Sequence, residues 1–166
     1  MNTQRFRRRK LPWRSLLFVS FMSALAFCCR PSSDPSRLDP QQTLVPPGDY
    51  LVSAVTPRGS IDVVVPSETG DLIAEVELLG ISIVDESAVE LRLRQLEGQR
   101  VQLRFDRRRV NDAGTLQAYI FVGEELLNES LVRQGLAMDD THPADAGPIV
   151  RRIKKAEQQA HSEKGE

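Results

Sequence analysis

The sequence predicts a mainly β, α+β domain, a five-stranded Greek-key barrel with one helix between its third and fourth strands and two helices at its C-terminal end. Three observations carry this. Val101 to Val122 reads as a long hairpin: Val101, Leu103 and Phe105 alternate with Gln102, Arg104 and Asp106, Asp112-Ala113-Gly114 supplies turn chemistry, and the return runs through Tyr119, Ile120, Phe121 and Val122. Three shorter runs of β-branched residues precede the hairpin. Between them and the hairpin the apolar spacing switches from two to helical.

In chain order, residues 1–29 read as an export segment. Six basic side chains (Arg5, Arg7, Arg8, Arg9, Lys10 and Arg14) precede the apolar run Ser15 to Phe27, and no acidic residue interrupts them. A spanning helix needs about 20 apolar residues, so a shorter run behind arginines reads as a signal. Leu25-Ala26-Phe27-Cys28 resembles a lipobox, which makes Cys28 the candidate lipidation site, although Phe27 stands where such signals carry a small residue. The expected product is exported and held at the membrane as a lipoprotein; the alternatives are an uncleaved anchor and a cleaved periplasmic or secreted form.

Residues 30–47 hold five prolines among Ser, Asp and Gln, a composition that buries little apolar surface, and read as a linker. The remainder, 48–166, is the folded domain. Overall the 166 residues carry 22 basic and 23 acidic side chains; outside 1–29 the balance is 16 against 23, net −7. That acidity weakens the field that draws proteins to nucleic acid. Both cysteines fall within 1–29, so the folded domain holds no disulfide and no thiolate metal site.

Within the domain, Tyr50 to Val55 and Ser60 to Val65 are strands joined by the turn Thr56-Pro57-Arg58-Gly59, and Leu72 to Ile83 is a third, long strand. Ser87 to Leu96 is helical, with Ala88, Leu91 and Leu96 inward and Ser87 with Glu90 as a capping box. After the hairpin, Asn128 reads as the N-cap of a helix over Glu129 to Gln134 that Gly135 terminates. An irregular tract follows, then a helix from about Ile149 with Ile149, Ile153, Ala156 and Ala160 on one face. The order strand, strand, strand, helix, strand, strand is that of the OB-fold.

Three blocks, VQLRFD (Val101 to Asp106), AYIFVGEEL (Ala118 to Leu126) and LNESLVRQGLA (Leu127 to Ala137), resemble the thermonuclease family of staphylococcal-nuclease-like OB-fold proteins in order and spacing. The resemblance spans roughly Gly48 to Ala160. It implies calcium-dependent phosphodiester hydrolysis, which needs metal carboxylates, a general base and fixed cations on the phosphate. The family's D-G-D-T turn aligns with Pro57-Arg58-Gly59-Ser60, placing Gly59 at a metal position. Its R-L-x-x-x-D-T-P-E segment aligns from Glu77, which stands in an arginine position, through Ser82 in a metal position, to Asp85 or Glu86 near the base. Its Y-G-R aligns with Ala113-Gly114-Thr115, so Thr115 replaces the second arginine. The segment between the third strand and the helix is also shorter than the family's.

With arginines and metal carboxylates missing together, the expected function is an inactive binding or interaction module at the cell envelope, with no cofactor and an unknown envelope protein or ligand as partner. The alternative is a divalent-metal nuclease, calcium its cofactor, that uses substitute residues such as Arg58 and Asp85 or Glu86. A third reading is a structural envelope protein that docks through a barrel edge. Arg58, Arg107, Arg108 and Arg109 are candidate anion contacts, which leaves weak nucleic-acid binding open. Asp139, Asp140, His142 and Asp145 are read as solvated loop acids rather than a metal site, because no spacing among them is diagnostic.

Overall fold

A computed structural model of the chain describes residues 37–40, 44–141 and 147–164. The chain divides into two units, 1–33 and 34–166, and every described residue lies in the second.

Five strands close into a barrel: β1 (Gly48–Val55), β2 (Ile61–Val65), β3 (Leu72–Leu78), β5 (Arg100–Arg104) and β6 (Leu116–Val122). Their order is β3-β2-β1-β5-β6, antiparallel throughout, and a parallel seam between β3 and β6 completes the ring. This is the OB-fold the sequence predicts. Period-2 alternation fills the interior with Ile61, Val63, Val76, Val101, Leu103, Ala118 and Ile120, and leaves Asp62, Glu75, Glu77, Gln102 and Gln117 on the outside. A bulge at Val52 to Ala54 bends β1.

The third strand is shorter than expected. Gly80, at φ 74°, breaks the run, and Ile81–Ile83 forms a separate β4 paired with β8 (Ala137–Asp139), inside the tract expected to be irregular. A short β7 (Glu125–Leu126) continues the sheet beyond β6.

Helix α1 spans Glu86–Arg94, and its cap is Asp85, whose Oδ1 accepts from the Ala88 N–H at 3.0 Å, rather than Ser87. Val89 and Leu93 are buried, while Leu91, expected inward, is 66% exposed. Leu96 is buried as expected.

Helix α2 is Leu127–Arg133, and Asn128 lies inside it rather than capping it. The Asn128 side chain is buried, accepting from the Ile120 N–H and donating to the Leu79 carbonyl. Gly135 does terminate the helix, at φ 70°, with its N–H on the Val132 carbonyl and the Leu136 N–H on the Leu131 carbonyl. Helix α3, Pro148–Lys164, starts with proline at its first position, packs on α2 and buries Val150, Ile153, Ala156 and Ala160; Ile149 is only partly buried.

The stretch read as a linker also contributes to the core. Leu38 and Val45 are buried, the Leu38 N–H donates to the Ile73 carbonyl at 2.7 Å, and the Tyr50 hydroxyl donates to the Pro46 carbonyl at 2.7 Å. Scattered apolar residues among prolines carry no periodicity, so only their contacts with a finished barrel reveal them.

Candidate functional site

The outer face of β3 and the tip of the β5–β6 hairpin bring together two of the aligned positions, Glu77 and Thr115. Glu77 sits in register with Gln117 across the parallel seam. Its Oε2 accepts from Asn111 Nδ2 at 2.8 Å and from Gln117 Nε2 at 3.4 Å. Asn111 also builds the turn: its Oδ1 accepts from the Thr115 N–H at 2.8 Å, its N–H donates to the Thr115 carbonyl at 3.0 Å, and its carbonyl accepts from the Gly114 N–H at 3.1 Å. An asparagine opening a turn satisfies backbone groups in this way. One side chain thus joins Glu77 to Thr115, the two positions aligned with the family's arginines.

The remaining aligned positions go elsewhere. Gly59 has φ 77°, and a Cβ built there would lie 2.4 Å from Ile83 Cδ1, so a hydrocarbon side chain covers that aligned position. Ser82 pairs with Met138 in the β4–β8 ladder and faces solvent. Asp85 is occupied as the cap of α1, and Glu86 is exposed in its first turn.

A second polar cluster lies beside Glu77. Asp62 and Glu75 are register partners on β2 and β3, and the Arg37 guanidinium reaches both, hydrogen-bonding Glu75 and approaching Asp62 at 3.5 Å. The buried Ser60 hydroxyl donates to Glu75 Oε1 at 2.7 Å and lies 2.6 Å from the Thr56 hydroxyl. Desolvation raises the Asp62 carboxyl above its ordinary value, Arg37 opposes that rise, and the Glu75 charge adds to it. Between the 37–40 segment, Glu75 and the Ala113 to Thr115 turn lies an open polar cleft of about 280 Å³.

The candidate anion contacts do not converge on that cleft. Arg109 donates to the Val45 carbonyl at 3.1 Å and lies over the Phe105 ring, Arg108 pairs with Asp112, and Arg58 and Arg107 form no ion pair among the described residues. Cys28, His142 and Asp145 lie outside the described residues. Asp139 spends its Oδ1 on the Thr141 N–H and its own N–H on Glu157 Oε1. Among the described residues no three His, Cys, Asp or Glu side chains gather to hold a metal, and no helix is long and apolar enough to cross a membrane.

Comparison of the chain with protein-family models and with curated protein sequences finds no match.

Asn111, Gln117 and Arg37 are the site residues that sequence reasoning missed. Asn111 carried a local signal, since it stands immediately before the Asp112-Ala113-Gly114 turn. Gln117 and Arg37 carried none, because each meets its partner only across the seam or the sheet face.

Proposed function

We propose that this chain is an exported, membrane-tethered OB-fold module of thermonuclease descent that has lost its catalytic centre and acts by binding a component of the cell envelope. The observation that carries the reading is Glu77. Where phosphodiester hydrolysis needs a fixed cation, an acceptor-only carboxylate stands, held by two amides. Losing one preorganised charge-stabilising donor costs roughly 10² to 10³ in rate, and a negative charge in its place repels the phosphate as well. Ile83 over Gly59 and the use of Asp85 as a helix cap support the same reading, because neither position is left to a cation.

The test is calcium titration of the full chain, with and without a nucleotide bisphosphate, beside digestion of single-stranded DNA. The expected result is no calcium-dependent cleavage and no synergy between cation and nucleotide. Cleavage that a chelator abolishes would establish a metal-dependent nuclease with substitute residues instead. For the binding role, a photo-reactive side chain at Ala113 in the cleft is expected to cross-link an envelope component in membranes; an uncross-linked chain there would count against the cleft as the docking place.

A further inference from the structure

Half of the twelve arginines among the described residues are neutralised. Arg37, Arg92, Arg94, Arg108, Arg133 and Arg152 each reach a carboxylate. On β5 and in the loop after it the pattern changes: Arg100, Arg104, Arg107 and Arg109 reach none among the described residues. Two of these four are held by rings instead. Arg104 lies over Phe121, 4.4 Å from its centroid, with its Nε on Gln102 Oε1, and Arg109 lies over Phe105 at 5.2 Å with a hydrogen bond to the Val45 carbonyl. Such contacts fix a guanidinium while leaving its charge uncompensated. Residues 100–109 carry five arginines against Asp106, in a domain that is otherwise acidic.

Exposed leucines accompany these cations. Leu51, 38% exposed, is the register partner of Arg100 on β1, and Leu44, 75% exposed, adjoins the residue whose carbonyl holds Arg109. Asp49, opposite Gln102, is the acidic residue on the β1 side of this surface. A nucleic-acid strand would need free aromatic faces, but Phe121 is buried beneath Arg104. Cations beside projecting leucines instead match a bilayer interface, where basic groups meet headgroups and apolar tips enter the acyl boundary.

We propose that β5, the loop after it and the adjoining leucines form a surface that lies against the anionic lipid headgroups of the membrane. The inference deepens the tethered reading above and rests on it. Each arginine at an anionic surface strengthens binding about fivefold, so removing two weakens it roughly 25-fold if they act independently.

The test uses the full chain in vesicles of phosphatidylcholine alone or mixed with phosphatidylglycerol, reading tryptic cleavage of the Arg108–Arg109 bond by mass spectrometry. Cleavage is expected to slow several-fold on the mixed vesicles only, and salt is expected to restore it. The double variant Arg100→Gln/Arg107→Gln keeps both ring contacts and is expected to be cleaved at the same rate on either vesicle. Inorganic phosphate is expected to leave the bond as cleavable as in buffer; protection by phosphate alone would mean a site for single anions and would overturn the surface.

Equal cleavage of the unmodified chain on both vesicles, or protection that survives in the double variant, would overturn the proposal. Protection by an oligothymidylate with none by mixed vesicles would assign the arginines to nucleic acid and overturn it too. Flotation with the vesicles at high salt reports the tether by itself. A chain that floats but is not protected retains the tether and refutes the surface; one that fails to float but is protected at low salt does the reverse.

Discussion

The Asn128 side-chain amide donates to the carbonyl of Leu79, 49 positions earlier in the chain, at 2.9 Å. The same side chain accepts the Ile120 N–H at 3.0 Å, so one buried amide fastens α2 both to the end of β3 and to β6. Replacing it with leucine leaves two backbone groups without partners, at roughly 1 to 3 kcal/mol each. Asn128→Leu is expected to destabilise the domain by about 2 to 6 kcal/mol, read as a shift of the urea midpoint with an unchanged slope. Asn128→Asp keeps the acceptor and loses the donor, and at neutral pH it is expected to be at least as harmful, since it also buries a charge.

Gly59 does not readily accept a side chain. At φ 77°, with Ile83 Cδ1 2.4 Å from where a Cβ would sit, Gly59→Ala combines backbone strain with a clash. A loss of roughly 1 to 3 kcal/mol is expected. Ile83→Ala in the same chain removes the clash but not the strain, so a double-mutant cycle is expected to show positive coupling between the sites. Additive losses would mean that the Ile83 side chain simply moves aside.

The pH dependence around Asp62 follows from its desolvation. A carboxyl whose folded value is raised holds its proton more tightly in the native state than in the unfolded chain. Its stabilising contribution is therefore complete below the ordinary value of 3.8 and is lost as pH rises through the raised folded value. Asp62→Asn removes this dependence, so the stability of the variant relative to the parent is expected to increase with pH across that window. Thermal unfolding of the pair at several pH values checks the sign, and a difference that shrinks with pH would refute it.

A chain begun at Gly48 loses the buried Leu38 and Val45 and the acceptor of the Tyr50 hydroxyl. Burying such a side chain contributes roughly 1.5 to 3 kcal/mol. The shortened chain is expected to be less stable by on the order of 3 to 6 kcal/mol, visible as a large drop in Tm. An unchanged Tm would return the segment to the status of a spacer.

What the sequence disclosed was local periodicity. The strand Leu116–Val122 contains the aromatic and β-branched run Tyr119 to Val122 that marked the returning arm, and the order of elements sufficed for the barrel. The errors fall where a distant partner decides. Asn128 has the look of a cap because it precedes a polar turn of helix, yet groups on β3 and β6 claim it. Asp85, aligned near a base position, instead caps α1, and Val89 and Leu93 rather than Leu91 face the core. At the site, missing side chains were legible as missing, whereas the Asn111 bridge from Glu77 to Thr115 exists only after the hairpin lies beside the seam.

Arg37 forms an isolated parallel bridge with Ile73 of β3. β2 takes one edge of β3 along Leu72–Val76, while β6 takes the other only from Val76 to Leu78. Ile73 on that second edge is met by Arg37, whose neighbour Leu38 donates its N–H to the Ile73 carbonyl. Open strand edges recruit strands from other molecules. The polypeptide entering the domain therefore also covers an edge that would otherwise lie open, and loosening it is expected to show as concentration-dependent self-association before the barrel itself unfolds.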